Sequence, residues 1–530
     1  IGVTGKNVSL NDKNGVALDT SNISGTLGIT AGGDITQNGP LTVTGATTID
    51  AGANNVTLNN ANNDFSSIGV TGKNVSLNDK NGVALNTSII SGTLGVTAGG
   101  DVTQNGSLTV TGATTIDAGA NNVTLNNANN DFSSIGVTGK NVSLNDKNGV
   151  ALDTSNISGT LGVTAGGDVT QNGPLTVTGA TTIDAGANNV TLNDANNDFS
   201  SIGVTGKNVS ITDKNGVALN TSTISGTLGV TVGGDVTQNG PLTVTGATTI
   251  DAGANNVTLN DANNDFSSIG VTGKNVSLND KNRVALNTST ISGTLGVTAG
   301  GDVTQTGPLT VAGETSISAV GGITLTNADN DFGGAVSATN SAPGNVALVD
   351  RNNLTLKDVT TGGGSLSAKA AGTGSILHVI STVNAGGGNI DLSADNVDIS
   401  RATAVQTSGI TTLRSKSIDQ ATGVGDKVYR DTQEIEQSQD QTSDMSVKTA
   451  TGSGDTAASG TDLLSVNGGG MKLPGSQEGI NAEAVEQTEQ RPNNSQTSLT
   501  QEDVDEKSKK SSNSVVPVTT VETAETNTDQ

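Results

Sequence analysis

The chain has 530 residues, of which 32% are hydrophobic and 1% aromatic, with 72 glycines and neither cysteine nor tryptophan. That composition excludes a thick globular core, a disulfide framework and a thiolate metal site. A formal net charge of −25 excludes nucleic acid as a partner, because a phosphate backbone is held by clustered Lys and Arg that displace its counterions.

The chain opens inside a repeat, at Ile1, with neither an initiator Met nor a signal peptide, and so reads as a fragment or processed product. Ile1-Gly2-Val3-Thr4-Gly5-Lys6-Asn7-Val8-Ser9 returns from Ile68, Ile135, Ile202 and Ile269, a period of 67 residues. Five near-copies fill residues 1–335. The fifth is decaying, since Asp50, Asp117, Asp184 and Asp251 are followed by Ser318, and Phe332 arrives one residue early relative to Phe65, Phe132, Phe199 and Phe266.

Within one period, Val8-Ser9-Leu10, Ile29-Thr30-Ala31, Val56-Thr57-Leu58 and Val75-Ser76-Leu77 alternate apolar and hydroxyl residues and lead into turns rich in Asn, Asp and Gly. Alternation at period two marks half-buried strands, and those turn residues tolerate the backbone of tight corners. The steps of 21, 27 and 19 residues between these strands predict about three coils per repeat. The fold class expected is all-β, a parallel β-helix (β-solenoid) followed by a disordered acidic tail. At about 4.8 Å per coil the five repeats would form a rod about 70 Å long.

Differences between copies separate inside from outside. Ile29 becomes Val96, Val163, Val230 and Val297, as a buried position allows, whereas Asn22 becomes Ile89, Asn156, Thr223 and Thr290, as an exposed one does. Gly15 becomes Arg283, which points to a solvent-facing site with no need for a positive φ. Diverged coils are expected over 336–402, carried by Asn345–Leu348, Asn353–Leu356 and Asn389–Leu392. A transition segment follows over 403–431. From 432 to 530 the Ser, Thr, Gln, Glu and Asp content is too polar to offset chain entropy, so disorder is expected there, with a short helix near 427–437. No run of about 18 apolar residues predicts a transmembrane segment.

Candidate chemistry is sparse. His378 is the sole histidine and lies between Leu377 and Val379, which reads as a half-buried strand residue. Asp34, Asp101, Asp168, Asp235 and Asp302 each follow Gly-Gly; weak Ca²⁺ binding by stacked carboxylates is weighed against corner residues capping their own turns, and capping is favoured. The five phenylalanines read as buried plugs rather than as an exposed stripe for glycans. Sequons at Asn7, Asn55 and Asn74 permit glycosylation. Lys6 and Lys13 read as a solvated face. Thr42, Thr44, Thr47 and Thr48 recur, but a ladder built only from equivalent positions would be too sparse to bind ice. No catalytic, cofactor-binding or metal site is assigned, and the chain is expected not to be an enzyme; a polysaccharide-cleaving β-helix would need unique Asp, Arg and Lys groups in a groove.

Three blocks carry a resemblance: Asn55–Phe65, Leu94–Gln104 and Pro40–Gly45. They resemble the repeats of filamentous haemagglutinin-like exoproteins of two-partner secretion systems, over residues 1–402. The resemblance implies a right-handed parallel β-helix, an outer-membrane partner transporter, and a Gram-negative cell-surface or extracellular location. It also implies adhesion to surface glycans or proteins of host cells or bacteria. A self-associating surface-layer or biofilm-matrix component is the alternative on the same fold. The secretion domain of that family is not in the sequence, and the residues up to Thr528-Asp529-Gln530 hold no series of amphipathic membrane strands.

Overall fold

The computed structural model of the chain describes residues 1–401 and 404–415 in full, together with the backbone of Ser417–Gln420, Asp444–Val447 and Ser465–Val466. The chain divides into two compact units, Ile1–Gly468 and Gly469–Gln530, and every described residue belongs to the first. The first unit is a parallel β-solenoid of about 20 turns, with no helix among the described residues. Coils continue past residue 402 into Thr411–Arg414 and Ser417–Gln420. Thr411–Arg414 also pairs antiparallel with Asp444–Val447. The remainder of the expected disordered stretch from 432, and the helix expected near 427–437, lie outside the described residues.

Alternation decides which side chains enter the lumen. In Leu94–Ala98 the residues Leu94, Val96 and Ala98 are buried while Thr97 is exposed, and the same order runs through Leu161–Ala165, Leu228–Val232 and Leu295–Ala299. Ile29 and its valine copies are 1–2% exposed, whereas Ile89 at the variable position is 57% exposed. Backbone groups are satisfied by the coils above and below, so a lumen only a few side chains wide is enough. Each buried Val, Leu or Ile adds about 1.5–3 kcal/mol of transfer free energy.

Pairing corrects the strand alignment read from the sequence. Val16, Ile35, Val56, Val75 and Leu94 stand one above another, and Ile29 stacks instead on Leu10 and under Ile49. Within the repeats, steps between stacked residues run from 17, at Ile68 to Leu85, to 22, at Val43 to Phe65. From Asp64 to Leu125 one period holds eight strands, of which Asp64–Gly72 and Leu108–Asp117 bend across a corner and so serve two faces each. On a three-faced coil this makes three full turns and one further face.

The consequence is visible in the columns. Val142, the copy of Val75, stands on Val83, Val102 and Val123, one face along. Val209 stands on Val150, Val169 and Val190, and Val276 on Val217, Val236 and Val257. Each copy is therefore turned by one face and raised by about 16 Å, three and a third strand spacings. A given side chain returns to the same face only after three repeats, as from Val75 to Val276.

Corners follow local chemistry. Asp117 Oδ1 accepts from the Gly119 N–H at 3.0 Å, and Gly119 has φ of 55°, a conformation other residues rarely adopt. Gly15 has no positive φ, as expected from Arg283, but it is packed: a Cβ there would stand 2.6 Å from the Asp34 carbonyl oxygen. The fifth repeat accommodates Arg283 by opening. A Cβ built on Gly301 is 2.9 Å from the Arg283 nitrogen, against 2.6 Å from Gly82 for the equivalent Gly100.

One lumen position of the repeats carries an unpartnered hydroxyl. Thr47, Thr114, Thr181, Thr248 and Thr315 are at most 1% exposed, and their Oγ1 atoms have no hydrogen-bond partner. Valine has the same shape without the orphaned hydroxyl, so each Thr→Val exchange is expected to stabilise the solenoid by about 1 kcal/mol or more. Thermal melting of Thr114→Val and of the five-fold variant checks this; a lowered melting temperature in both would contradict it.

Candidate functional site

The polar residues that the fold does bring together form three repeated clusters, each built across neighbouring coils. The first lies at the end of Val75–Asp79. Asp79 Oδ2 accepts from the Phe65 N–H at 2.6 Å and Oδ1 from the Asn81 N–H at 2.8 Å, so one carboxylate ties the Phe65 corner to its own turn. Asp146, Asp213, Asp280 and Asp350 do the same for Phe132, Phe199, Phe266 and Phe332. The five rings are 1–2% exposed, which makes them lumen plugs and leaves no aromatic stripe at these positions.

Burial pushes all five carboxyls above the ordinary aspartate value of 3.8, against the pull of the two N–H donors that each accepts. The folded state then holds these protons more tightly than the unfolded state does. Their contribution to stability is full below the unfolded value and is lost as pH rises through the folded values. Asp19 and Asp265 act in the opposite sense. The Asn38 carboxamide lowers Asp19, and the Lys281 ammonium lowers Asp265. The five raised carboxyls are buried, whereas Asp19 is exposed and Asp265 only half-buried, so solvent screens the opposing pair and the solenoid is expected to melt at a higher temperature near pH 4 than at neutrality, which calorimetry across that window checks.

The second cluster was not singled out from the sequence. Asn63 is fully buried; its Oδ1 accepts from Leu41 N–H at 2.9 Å and from Gln37 Nε2, and its Nδ2 donates to Leu58 O at 3.0 Å and to Gln37 Oε1 at 3.1 Å. Gln104–Asn130, Gln171–Asn197, Gln238–Asn264 and Gln305–Asn330 repeat the pair. The available signal was that neither residue changes in any copy, against a background in which exposed positions do.

The third cluster is an exposed corner ladder. Asp34 Oδ1 accepts from Asn55 N–H at 2.9 Å, Asn74 Nδ2 donates to Asn55 Oδ1 at 2.9 Å, and Asn74 Oδ1 accepts from Thr93 N–H at 3.1 Å. Asp101, Asp168 and Asp235 likewise accept from Asn122, Asn189 and Asn256. These aspartates therefore cap the turn of the next coil, where their own turn was expected. The sequon residues Asn55 and Asn74 have their carboxamides engaged in this ladder. Among the described residues no three His, Asp or Glu side chains are grouped so as to share a metal ion.

His378 lies on the outward side of Ile376–Val379, half-buried, with Nδ1 3.0 Å from Asp398 Oδ2 on the next coil. Lys80, Lys147, Lys214 and Lys281 pair with Asp64, Asp131, Asp198 and Asp265 at 2.8–3.0 Å; at this exposure such pairs contribute about 0–1 kcal/mol each. Thr47 points inward, so it does not join an outer face. The outward ladder is denser than equivalent positions alone would make it, because unlike positions stack: Asn78, Thr97, Asp117, Thr138, Asn156, Thr176 and Asp198 occupy seven consecutive coils. A shallow groove beside Arg283 crosses four coils and is lined by Thr243, Asp265, Asn282, Asp302 and Thr304, with no paired nucleophile and base.

No helix among the described residues is long and apolar enough to cross a membrane. No curated protein and no solved structure matches the chain. One family does match, over five consecutive windows at 5–71, 72–138, 139–205, 206–272 and 273–339, the same period that the strands follow. With well over half of its length so covered, the chain belongs to the family described as Repeats of unknown function (DUF5649).

Proposed function

We propose that this chain is a structural and adhesive shaft of a secreted or cell-surface protein, similar to the filamentous haemagglutinin-like exoproteins of Gram-negative bacteria, and that it is not an enzyme. The observation that carries the reading is the one-face advance of each repeat. It spreads the same Thr, Asn and Asp surface around all three faces, so no direction around the axis is privileged. A catalytic site gains nothing from that arrangement. Multiple weak contacts with surface glycans or proteins do, because avidity grows with the number of copies within reach. On this reading an outer-membrane partner transporter exports the parent protein.

The test exploits the repeat. Deleting any single 67-residue copy preserves the native junction between repeats. Inhibition of cell adhesion by the soluble full chain should weaken to a similar degree whichever of the second, third or fourth copies is removed. Complete loss on removal of one copy alone would show a single binding site and overturn the shaft reading. Three alike faces also suit lateral packing, which favours the self-associating surface-layer component as the second reading. Ordered arrays in electron micrographs of the purified full chain, without cell binding, would select it.

A further inference from the structure

The first four repeats contain eight Asn–Gly pairs, in two sets: Asn14, Asn81, Asn148 and Asn215, and Asn38, Asn105, Asn172 and Asn239, each followed by Gly. We infer that the first set, and not the second, consists of self-modifying corners that convert to isoaspartate and aspartate. In this reaction the backbone nitrogen of the glycine attacks Cγ of the asparagine. The N–Cγ bond forms, the Cγ–Nδ2 bond breaks, and ammonia leaves with the amide proton. Water then opens the resulting succinimide at either carbonyl, giving the two acids with no change in oxidation state.

Sequence alone would make all eight equal, and the structure separates them by three observations. Gly15, Gly82, Gly149 and Gly216 are exposed, whereas Gly39, Gly173 and Gly240 are buried and Gly106 is half-buried. The nitrogen of Gly82 lies against Gly100, where a Cβ would stand 2.6 Å away, so the coil above meets that nitrogen with backbone alone and no side chain. Packing is tight in both sets and tighter in the second: a Cβ on Gly82 would stand 2.7 Å from the Asp101 carbonyl oxygen, and one on Gly106 only 2.3 Å from Thr87 Oγ1.

The carboxamides differ in the same sense. Asn81, Asn148 and Asn215 donate Nδ2 to Asp64, Asp131 and Asp198 over 3.2–3.3 Å. Asn38, Asn105, Asn172 and Asn239 are held to the coil below at 2.7–3.0 Å. The fifth repeat supplies its own controls: Asn282 sits in the first kind of corner but precedes Arg283, and Thr306 replaces the second asparagine. Conversion would place a new carboxylate beside Asp64, Asp131 and Asp198, each of which already accepts from a lysine, and isoaspartate would lengthen the corner backbone by one methylene.

The experiment incubates the full chain, folded and separately in denaturant, in mildly alkaline buffer, and follows amide-to-acid mass gain by peptide mapping with fragmentation. Ile89, Asn156 and Thr223 make the copies distinguishable. Conversion in the folded chain should be faster at the first set than at the second, and than at Asn282, by an order of magnitude or more. In denaturant the eight Asn–Gly pairs should react alike. Equal rates at both sets in the folded chain, or a first set that reacts only in denaturant, would overturn the inference. Gly82→Ala tests the nucleophile directly: it should silence Asn81 and leave Asn148 unchanged.

Discussion

Replacing Asn130 by alanine is expected to destabilise the solenoid by about 3 kcal/mol or more, the cost of leaving three sets of buried polar groups without partners at about 1–3 kcal/mol each. Asn130 is fully buried, accepts from Leu108 N–H at 2.9 Å, and donates to Leu125 O and Gln104 Oε1 at 3.1 Å. Leucine fills the space but supplies none of these bonds, and aspartate retains the acceptor while burying a charge. Neither should rescue the variant, whereas simultaneous exchange of Gln104 and Asn130 for apolar residues should recover part of the loss. Repeat arrays unfold unit by unit, so a single melting temperature understates a local defect. Hydrogen exchange read on the coils around Asn130 is the decisive measurement, and unchanged protection there would show that the pair contributes little.

Phe132→Ala is expected to cost about 3–5 kcal/mol, the range for truncating a buried aromatic side chain. The ring is 1% exposed and stacks above Val110 in a lumen lined mainly by Val, Ile and Leu, so neighbouring coils can close the cavity only by shifting their register. The Phe132 N–H donates to Asp146 through the backbone and survives the substitution, which separates the loss of packing from the loss of the corner. Phe132→Leu should therefore recover more than half of the deficit. The same exchange at Phe199 or Phe266 should give the same value, because turning a copy by one face does not change its neighbours. Chemical denaturation of the three variants checks both points, and a large difference among them would mean that the copies are not equivalent in packing.

Much of the fold was legible because alternation of apolar and hydroxyl residues is a local property. The inward placement of Ile29 and its valine copies, the outward placement of Asn22 and its copies, the burial of the phenylalanines and the half-burial of His378 follow from the pattern and from differences among copies. The 67-residue period needed no structure at all. Alternation says which way a side chain points but not which residue lies above it. That register depends on how many residues each corner consumes, and the steps vary from 17 to 22 within the repeats and reach 24 at Leu366 to Ile390.

Whatever depends on that register emerges only in the stacked coils. Stacking put Asp101 on the turn of the coil above, joined Gln104 to Asn130 across 26 residues, and sent Thr114 into the lumen. It also turned each repeat by one face, because ten segments do not divide evenly over three faces. By itself the sequence determined the period, the strands and their inward faces, since these are set by near neighbours along the chain. The columns, the buried polar pairs and the even distribution of the surface around the axis are set by neighbours a whole coil away, and corner geometry alone chooses them.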